Sequence, residues 1–187
     1  MKRLSFKEKA RAQRRREIIV TAARILNREG SRALTMERVA AEVGISKSTL
    51  YQDVSSKEAL NEMVVLESLT VLSEPLHDLS LPPLQRIREF LTGALDAQDD
   101  LYRVAAGALR DSDAASLLIQ ARISELLGML EETCSSGQTS GQIRGHWSHQ
   151  SMAQLVLTIA AGAGLNEASA PGRKVDWPEM LLQGIAP

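Results

Sequence analysis

Two short amphipathic segments with only a glycine turn between them constrain the fold of this chain more than any other feature. The apolar residues of the first segment recur at i, i+3, i+4 and i+7, the spacing of one helical face: Met36, Val39, Ala40 and Val43. Gly44 ends that segment, because glycine readily adopts the positive φ that closes a helix. Ser46 can then cap a second helix from about Lys47 to Asp53. The pattern predicts two helices joined by a tight turn.

The composition of the whole chain favours an all-α fold. Aromatic residues make up 3% of the 187 residues and hydrophobic residues 44%, so Leu, Ile, Val, Ala and Met must build the core. Ala and Leu favour helices, and runs of β-branched residues are scarce. A chain of this length can form one or two small domains with a real core.

Helical signals also lie on both sides of the glycine turn. An apolar stripe with 3–4 spacing predicts a first helix from about Arg14 to Glu29. After the turn, Ser55 fits a capping box for the next helix, and Pro75 is expected to break the chain. A loop is expected at residues 135–142 from their composition, and Asp176 can cap the last helix. These later helices are predicted near residues 55–72, 82–97, 100–109, 113–134, 148–164 and 176–184.

The net charge of −1 hides a strong asymmetry along the chain. Residues 1–60 hold 14 Lys and Arg against 7 Asp and Glu, whereas residues 61–187 hold 8 against 16. Eight of the basic residues lie within the first 16, which predicts a mobile basic arm over residues 1–13. Such a distribution suits a basic end that faces a polyanion and an acidic body kept away from it. An ordinary solvated basic tail would have the same composition.

Polar side chains cluster on the short helix that follows the glycine turn. A second helix in this arrangement can enter the major groove of DNA, where its first residues meet base edges. Gln52 could address an adenine edge, and the Thr49 methyl group could touch a thymine methyl. Phosphate contacts are expected at two helix N-termini, Thr35 and Lys57. The alternative is a solvated polar helix in an ordinary bundle.

The stretch "LTMERVAAEVGISKSTLYQDVSSKEAL", Leu34 to Leu60, resembles the DNA-binding signature of the TetR family of bacterial transcriptional regulators. The preceding "RREIIVTAARILNREG" is also similar, so the resemblance covers about residues 12–72. It implies a three-helix reading head at 14–54, with the helix-turn-helix motif at 35–54, and a ligand-binding and dimerisation domain at 55–187. It implies DNA contacts from eight residues: Thr35, Ser46, Lys47, Ser48, Thr49, Tyr51, Gln52 and Lys57.

The sequence departs from the family pattern at two positions. Val54 stands where many members have Phe, which is a mild change in the core. Asp53 puts an acid on the recognition helix, where a neutral or aromatic residue is more common, so it either accepts a hydrogen bond from a cytosine amino group or faces away from DNA. Asp53 is also the only support for the alternative of a helical ligand- or protein-binding module that has lost DNA binding.

The family resemblance further implies an effector pocket and a homodimer. A pocket between helices should be mostly apolar, and its candidate lining residues are Met63, Phe90, Tyr102, Leu126, Met129 and Trp147. Arg103 and Arg110 could anchor an anionic effector. The helices near 148–164 and 176–184 are expected to form the dimer seam, because small residues permit close approach. A two-fold dimer implies a palindromic operator, and a ligand-responsive repressor is the commonest outcome in the family.

Other kinds of site have little support in the sequence. His146, His149 and Cys134 could bind zinc, but no fourth ligand is evident, so we expect no metal. No dinucleotide loop, P-loop or catalytic constellation occurs, and we expect neither a cofactor nor an enzyme. A single cysteine and the lack of an apolar run of membrane-spanning length predict a cytoplasmic protein without a membrane partner.

Overall fold

The computed structural model describes residues 5–96, 98–111, 115–162 and 177–186, and their regular elements are α-helices. The helices are α1 (Phe6–Glu29), α2 (Met36–Val43), α3 (Lys47–Asp53), α4 (Lys57–His77), α5 (Pro83–Ala94), α6 (Asp100–Arg110), α7 (Leu117–Thr139), α8 (His149–Ala161) and α9 (Trp177–Ile185). The chain divides into two compact units, Met1–Glu67 and Ser68–Pro187. The predicted all-α class, with a helix-turn-helix head and a helical C-terminal domain, is confirmed.

The N-terminal unit is built around the apolar stripe of α1. Helix α1 packs on α2, and α2 packs on α3. Ile18 and Ala22 of α1 are completely buried, as are Val39 of α2 and Leu50 of α3. Each of these residues belongs to the face that the 3–4 spacing marks as apolar. The hydrophobic pattern therefore orients the three helices, and the polar faces of α2 and α3 are left at the surface.

The C-terminal unit has its core between α5, α7 and α8. Helix α7 packs on α5 and α8, while α6 and α9 pack on α5. Phe90 of α5, Leu130 of α7 and Val156 of α8 have no exposed surface. With so few aromatic residues, aliphatic side chains fill most of this core. No helix within the described ranges has both the length and the apolar character needed to cross a bilayer.

Helix α1 begins eight residues earlier than predicted. Ser5 caps it with a complete capping box, in which the Ser5 N–H donates to Glu8 Oε2 at 2.7 Å and the Glu8 N–H donates to Ser5 Oγ at 3.3 Å. The expected mobile arm over residues 1–13 is therefore wrong from Phe6 onward, because these residues are helical. The polar composition of this segment suggested a mobile arm. The segment nevertheless begins with a capping box and contains residues that favour helices.

Helix α4 also differs from the prediction at both ends. Ser56, rather than Ser55, caps it by accepting from the Ala59 N–H at 3.1 Å. The helix then continues past Leu72 to His77, with Pro75 inside its last turn. The expected break at Pro75 is wrong because a proline so near the end removes only one backbone hydrogen bond from the helix.

Two later predictions need different boundaries. Helix α7 continues through residues 135–139, which were expected to lie in a loop, and helix α5 ends at Ala94 instead of residue 97. Ser148 caps α8 by accepting from the Ser151 N–H at 3.1 Å, close to the predicted start. The predicted cap of the last helix, Asp176, lies outside the described residues.

Candidate nucleic-acid interface

A glycine in the left-handed conformation forms the turn between α2 and α3. Gly44 has φ of 77° and ψ of 29°, and its N–H donates to the carbonyl oxygens of Ala40 and Ala41. The Ile45 N–H also donates to the Ala40 carbonyl, at 2.9 Å. A side chain at position 44 would be strained at this φ, so the turn needs glycine. The predicted short connection between the two helices is confirmed.

Side-chain caps fix the first turn of both helices. Thr35 Oγ1 accepts from the Arg38 N–H at 3.2 Å, and Ser46 Oγ accepts from the Thr49 N–H at 3.1 Å. Ser46 Oγ also lies 2.8 Å from Ser48 Oγ and 2.8 Å from Thr49 Oγ1. These hydroxyl groups keep donors and acceptors to spare at the start of α3. That end of a recognition helix is the one that approaches base edges.

The polar face of α3 points away from the protein's own core. Leu50 and Val54 are buried on one side of the helix, whereas Tyr51 is 49% exposed on the other. Of the residues predicted to contact DNA, two are half-buried, Thr49 and Lys57, and the others are exposed: Thr35, Ser46, Lys47, Ser48, Tyr51 and Gln52. The structure thus brings them to one short segment of surface from α2 to the start of α4.

The two lysines of this surface already have partners inside the protein. Lys47 Nζ forms an ion pair with Glu37 in the first turn of α2. That contact raises the pKa of Lys47 and lowers the pKa of Glu37. Lys57 Nζ donates to the Ser31 carbonyl at 2.6 Å. The sequence did not predict this role of Glu37. Acids are common near helix N-termini, so an exposed acid at that position does not by itself indicate an ion pair.

Asp53, the unusual acid on α3, faces the protein and not the solvent. Its side chain is 1% exposed and lies 2.8 Å from both Arg11 Nε and Arg14 Nε of α1. Arg11 Nη2 also donates to the Gln52 carbonyl at 3.3 Å. Burial would raise the pKa of Asp53, but the hydrogen bonds from Arg14 and Arg11 outweigh it, so the pKa lies below its usual value. The Asp53 carboxylate is therefore directed at α1 and not at the exposed polar face of α3.

A second set of ion pairs holds α2 against α1. Arg38 of α2 pairs with Glu29 at the end of α1 and, at 2.9 Å, with Glu42 one turn further along α2. Arg24 of α1 reaches the same Glu42 carboxylate at 2.9 Å. Partly exposed pairs of this kind add little stability each. Their geometry nevertheless orients α2, and hence the turn that positions α3.

Residues 18–64 match the family model described as bacterial regulatory proteins, tetR family. This part of the N-terminal unit therefore has the sequence signature of the TetR family. The matched segment contains α2, the glycine turn and α3, so it coincides with the surface built above. No curated protein sequence matches this chain.

Several solved structures are similar to this chain along most of its length. One is AibR in complex with isovaleryl coenzyme A and operator DNA, 21% identical, with 91% of this chain and 95% of that chain covered and a TM-score of 0.64. CprB from S. coelicolor A3(2) is 22% identical, with coverages of 94% and 90% and a TM-score of 0.66. The ketosteroid transcriptional regulator KstR2 of Mycobacterium tuberculosis is 21% identical, with coverages of 93% and 95% and a TM-score of 0.58. At these identities the likeness establishes the fold alone.

The predicted effector-pocket residues do not line the cavity that the described residues form along α7. Phe90 and Leu126 are core residues, Tyr102 and Met129 are half-buried, and Trp147 and Arg103 are exposed. Tyr102 packs its ring against Gly93, where an added Cβ would lie 3.0 Å from Cζ. Met63 lies in the N-terminal unit. The additional anion anchor expected from the sequence, Arg110, lies 3.8 Å from Asp111.

The cavity is an open groove of about 650 Å³ along α7. Its lining follows one face of that helix from Gly128 to Ser140 and includes His149 of α8. Glu131 and Glu132 make the groove acidic, and the remaining side chains are mainly small and hydroxyl-bearing. None of the predicted pocket residues lines it. Such a polar groove differs from the mostly apolar pocket that the family resemblance implies.

The residues considered for zinc are not arranged around a common point. Cys134 is completely buried in α7, and burial raises the pKa of its thiol to about 12. His146 is exposed and packs edge-on against Trp147, with ring centroids 6.1 Å apart. Within the described ranges, no group of three or more His, Cys, Asp or Glu side chains is placed to hold a metal ion.

Proposed function

We propose that this protein is a ligand-responsive transcriptional repressor that binds a palindromic operator as a homodimer. The observation that carries the proposal is the outward polar face of α3. This helix follows the Gly44 turn directly, and Leu50 on its other side is buried in the core. A helix held in this way can enter the major groove without disturbing the core that supports it. The alternative of a module that has lost DNA binding had only Asp53 in its favour, and that side chain faces α1.

The proposed DNA contacts divide into two kinds. Gln52 and the Thr49 methyl group are suited to base edges, whereas Lys47, Ser48 and Tyr51 are suited to phosphate oxygens. Thr35 and Lys57 stand at helix N-termini, where backbone N–H groups favour a phosphate. Ser46 caps α3 and keeps its hydroxyl at the same surface. Base contacts should determine which sequence is bound, and phosphate contacts should determine how strongly salt weakens binding.

The proposed dimer uses α8 and α9. Half-buried residues follow one row at the end of α8, where Leu155, Ile159 and the capping Gly162 are spaced i, i+4 and i+7. Met180 of α9 is 57% exposed, which is unusual for a residue of this type in a helix that packs on a core. A second copy related by two-fold symmetry would cover these residues. Two heads would then lie about 34–36 Å apart on the DNA.

The proposed signal travels through α4, which contributes residues to both units. In the C-terminal unit its last turns are held by arginines from other helices. Arg122 of α7 donates to Thr70 Oγ1 and Ser73 Oγ, each at 3.3 Å, and Arg86 of α5 donates to the Leu76 carbonyl at 3.1 Å. An effector that displaces α5 or α7 would alter these hydrogen bonds. A coupling of about 1–3 kcal/mol between the two sites is enough for a useful switch.

DNA binding is tested with Tyr51→Ala and Lys47→Ala in gel-shift titrations against genomic fragments over a range of salt concentrations. Each variant should weaken specific binding about tenfold or more while the melting temperature stays nearly unchanged, since both side chains are exposed. Arg103→Ala removes one exposed cation from the C-terminal unit and serves as the matched control. Unchanged affinity in both head variants would refute the proposed reading surface.

Effector response is tested by adding small-molecule panels to the preformed complex with DNA. The structure of AibR contains isovaleryl coenzyme A, and two other similar structures are described as γ-butyrolactone receptors. Short-chain acyl-coenzyme A thioesters and γ-butyrolactones are therefore the first panels to use. Release of DNA by one compound, together with a rise in melting temperature, supports a ligand-responsive repressor. Tighter DNA binding on addition of a compound would indicate a co-repressor or an activator instead.

A further inference from the structure

The buried carboxylate of Asp53 joins the end of the recognition helix to the first turns of α1. Arg11 and Arg14 both donate to it through Nε at 2.8 Å, and Arg11 also reaches the Gln52 carbonyl. These hydrogen bonds link residues that are 39 to 42 positions apart in the sequence. The segment of α1 from Phe6 to Gln13 is therefore held at a defined place beside the C-terminal end of α3.

The same side of α1 carries more cations than Asp53 can neutralise. At about 100° per residue, Lys7 and Arg15 project within about 40° of Arg11 around the helix axis. Both are exposed, and neither forms an ion pair within the part of the chain that the structure describes. Arg11 itself is 65% exposed, and its Nη1 group makes no hydrogen bond to any described residue. The Asp53 carboxylate thus faces the guanidinium groups of Arg11 and Arg14, and two further cations, Lys7 and Arg15, lie on the same side of α1.

The opposite side of α1 provides a comparison within the same helix. Lys9 and Arg16 project about 140–160° from Arg11, so they lie away from α3. They are also exposed and carry the same total charge as Lys7 and Arg15. A general attraction between the basic end and DNA would involve both pairs equally. A defined contact surface next to α3 would involve only the first pair.

We propose that Lys7, Arg11 and Arg15 form a second DNA-contact surface that binds backbone phosphates of the same duplex, and that Asp53 is the residue that positions it. This inference rests on the proposed function, because the duplex must already be held by α3. The partner is double-stranded DNA outside the segment that α3 reads. Because phosphate contacts carry no sequence information, this surface adds affinity and salt dependence without adding sequence discrimination.

The test uses a duplex of about 30 base pairs that the wild-type protein enriches from a random library, long enough for two half-sites and their flanks. Binding is measured by fluorescence anisotropy over a range of KCl concentrations. For Lys7→Ala/Arg15→Ala, the slope of log K against log salt should become shallower by about 0.9 for each phosphate that the variant no longer neutralises. The preference for the enriched duplex over a scrambled one should stay the same. Lys9→Ala/Arg16→Ala should keep the wild-type slope.

Asp53→Asn tests the positioning role by the sign of its effect. The substitution removes a negative charge from the basic unit, so Coulomb attraction alone would strengthen DNA binding and steepen the salt slope. Loss of the anchor should instead weaken binding and make the slope shallower, as in Lys7→Ala/Arg15→Ala. Tighter binding with a steeper slope would overturn the role of Asp53. If Asp53→Asn does not fold, the Lys7→Ala/Arg15→Ala variant still decides whether the surface exists.

The outcomes separate this inference from the proposed function. Selective wild-type binding with an unchanged slope in Lys7→Ala/Arg15→Ala overturns the second surface and leaves the reading helix in place. Equal changes in the two double variants overturn it as well, because the effect is then one of charge and not of position. A wild-type protein that enriches no duplex overturns the proposed function and this inference together.

Discussion

At the scale of single residues, Asp53 has the clearest consequence for stability. Its folded pKa lies below the ordinary value of 3.8, so its contribution is fully present above the unfolded pKa and is lost as pH falls through the folded value. Asp53→Asn should lower the free energy of unfolding by about 1–3 kcal/mol at pH 7, through loss of charged hydrogen bonds. The difference in free energy of unfolding between Asp53→Asn and the wild type should become smaller as pH falls below about 4. Urea unfolding at several pH values measures it.

The matched control for this prediction is Asp111→Asn. Asp111 is largely exposed, and its Oδ1 lies 3.8 Å from Arg110 Nε, so its replacement should change the free energy of unfolding by less than about 0.5 kcal/mol. A gap between Asp53→Asn and wild type that stays constant from pH 7 to below about 4 would contradict the assigned cause, since the carboxylate would then not be the group that titrates.

The ion pair between Glu37 and Lys47 predicts that the free protein restrains its own DNA contact. A phosphate that binds Lys47 must compete with the Glu37 carboxylate. Glu37→Gln should therefore tighten binding to specific and scrambled duplexes alike, by less than about tenfold because exposed pairs are weak. Glu67→Gln, which removes an exposed acid at the end of the same unit and touches neither Lys47 nor Lys57, measures the effect of net charge alone. Equal tightening in both variants would show that the Lys47 contact has no role.

At the scale of elements, the C-terminal end of α7 depends on a glycine. A Cβ at Gly137 would lie 2.5 Å from Ile143 Cδ1 and 2.9 Å from Ile143 Cγ1, whereas a Cβ at Gly128 on the same helix meets nothing within 4 Å. Gly137→Ala should therefore lower the free energy of unfolding by about 1–3 kcal/mol through overpacking. Gly128→Ala should raise it by about 0.5–1 kcal/mol through backbone entropy. Chemical denaturation followed by circular dichroism compares them; stabilisation by both would contradict the close packing.

Gly137 also explains why part of this fold could not be predicted from the sequence. Serine, glycine and threonine over residues 135–142 are typical of a loop, yet α7 continues to Thr139. Its hydroxyl groups fold back onto the helix, as Thr139 Oγ1 donates to the Ser135 carbonyl at 2.9 Å, and Gly137 admits Ile143. The α2–α3 pair was predictable because its periodicity, caps and turn glycine are local signals. The partners of Asp53 were not, because they lie 39 or more residues away on a helix expected to begin later.

At the scale of the whole molecule, the two units divide the charge between them. Residues 1–67 carry an excess of five positive charges, and residues 68–187 an excess of six negative charges. Coulomb forces therefore favour contact between the basic unit and a phosphate backbone and oppose contact by the acidic one. This charge distribution reduces encounters in which DNA meets the acidic unit. Encounters between DNA and the basic unit then depend strongly on salt concentration. A single head with a short α3 offers few base contacts, which favours the use of two heads at once.

The proposed two-headed binding predicts a strict dependence on half-site spacing. Two heads on one rigid dimer meet half-sites about one helical turn apart on the same side of the duplex. Inserting about five base pairs, half a turn, between the half-sites would put the second one on the opposite side. Specific binding should then fall to the level of a duplex with one half-site. Sedimentation of the complex should show two protomers on the intact operator, whereas equal affinity for the intact and interrupted operators would mean that each head binds independently.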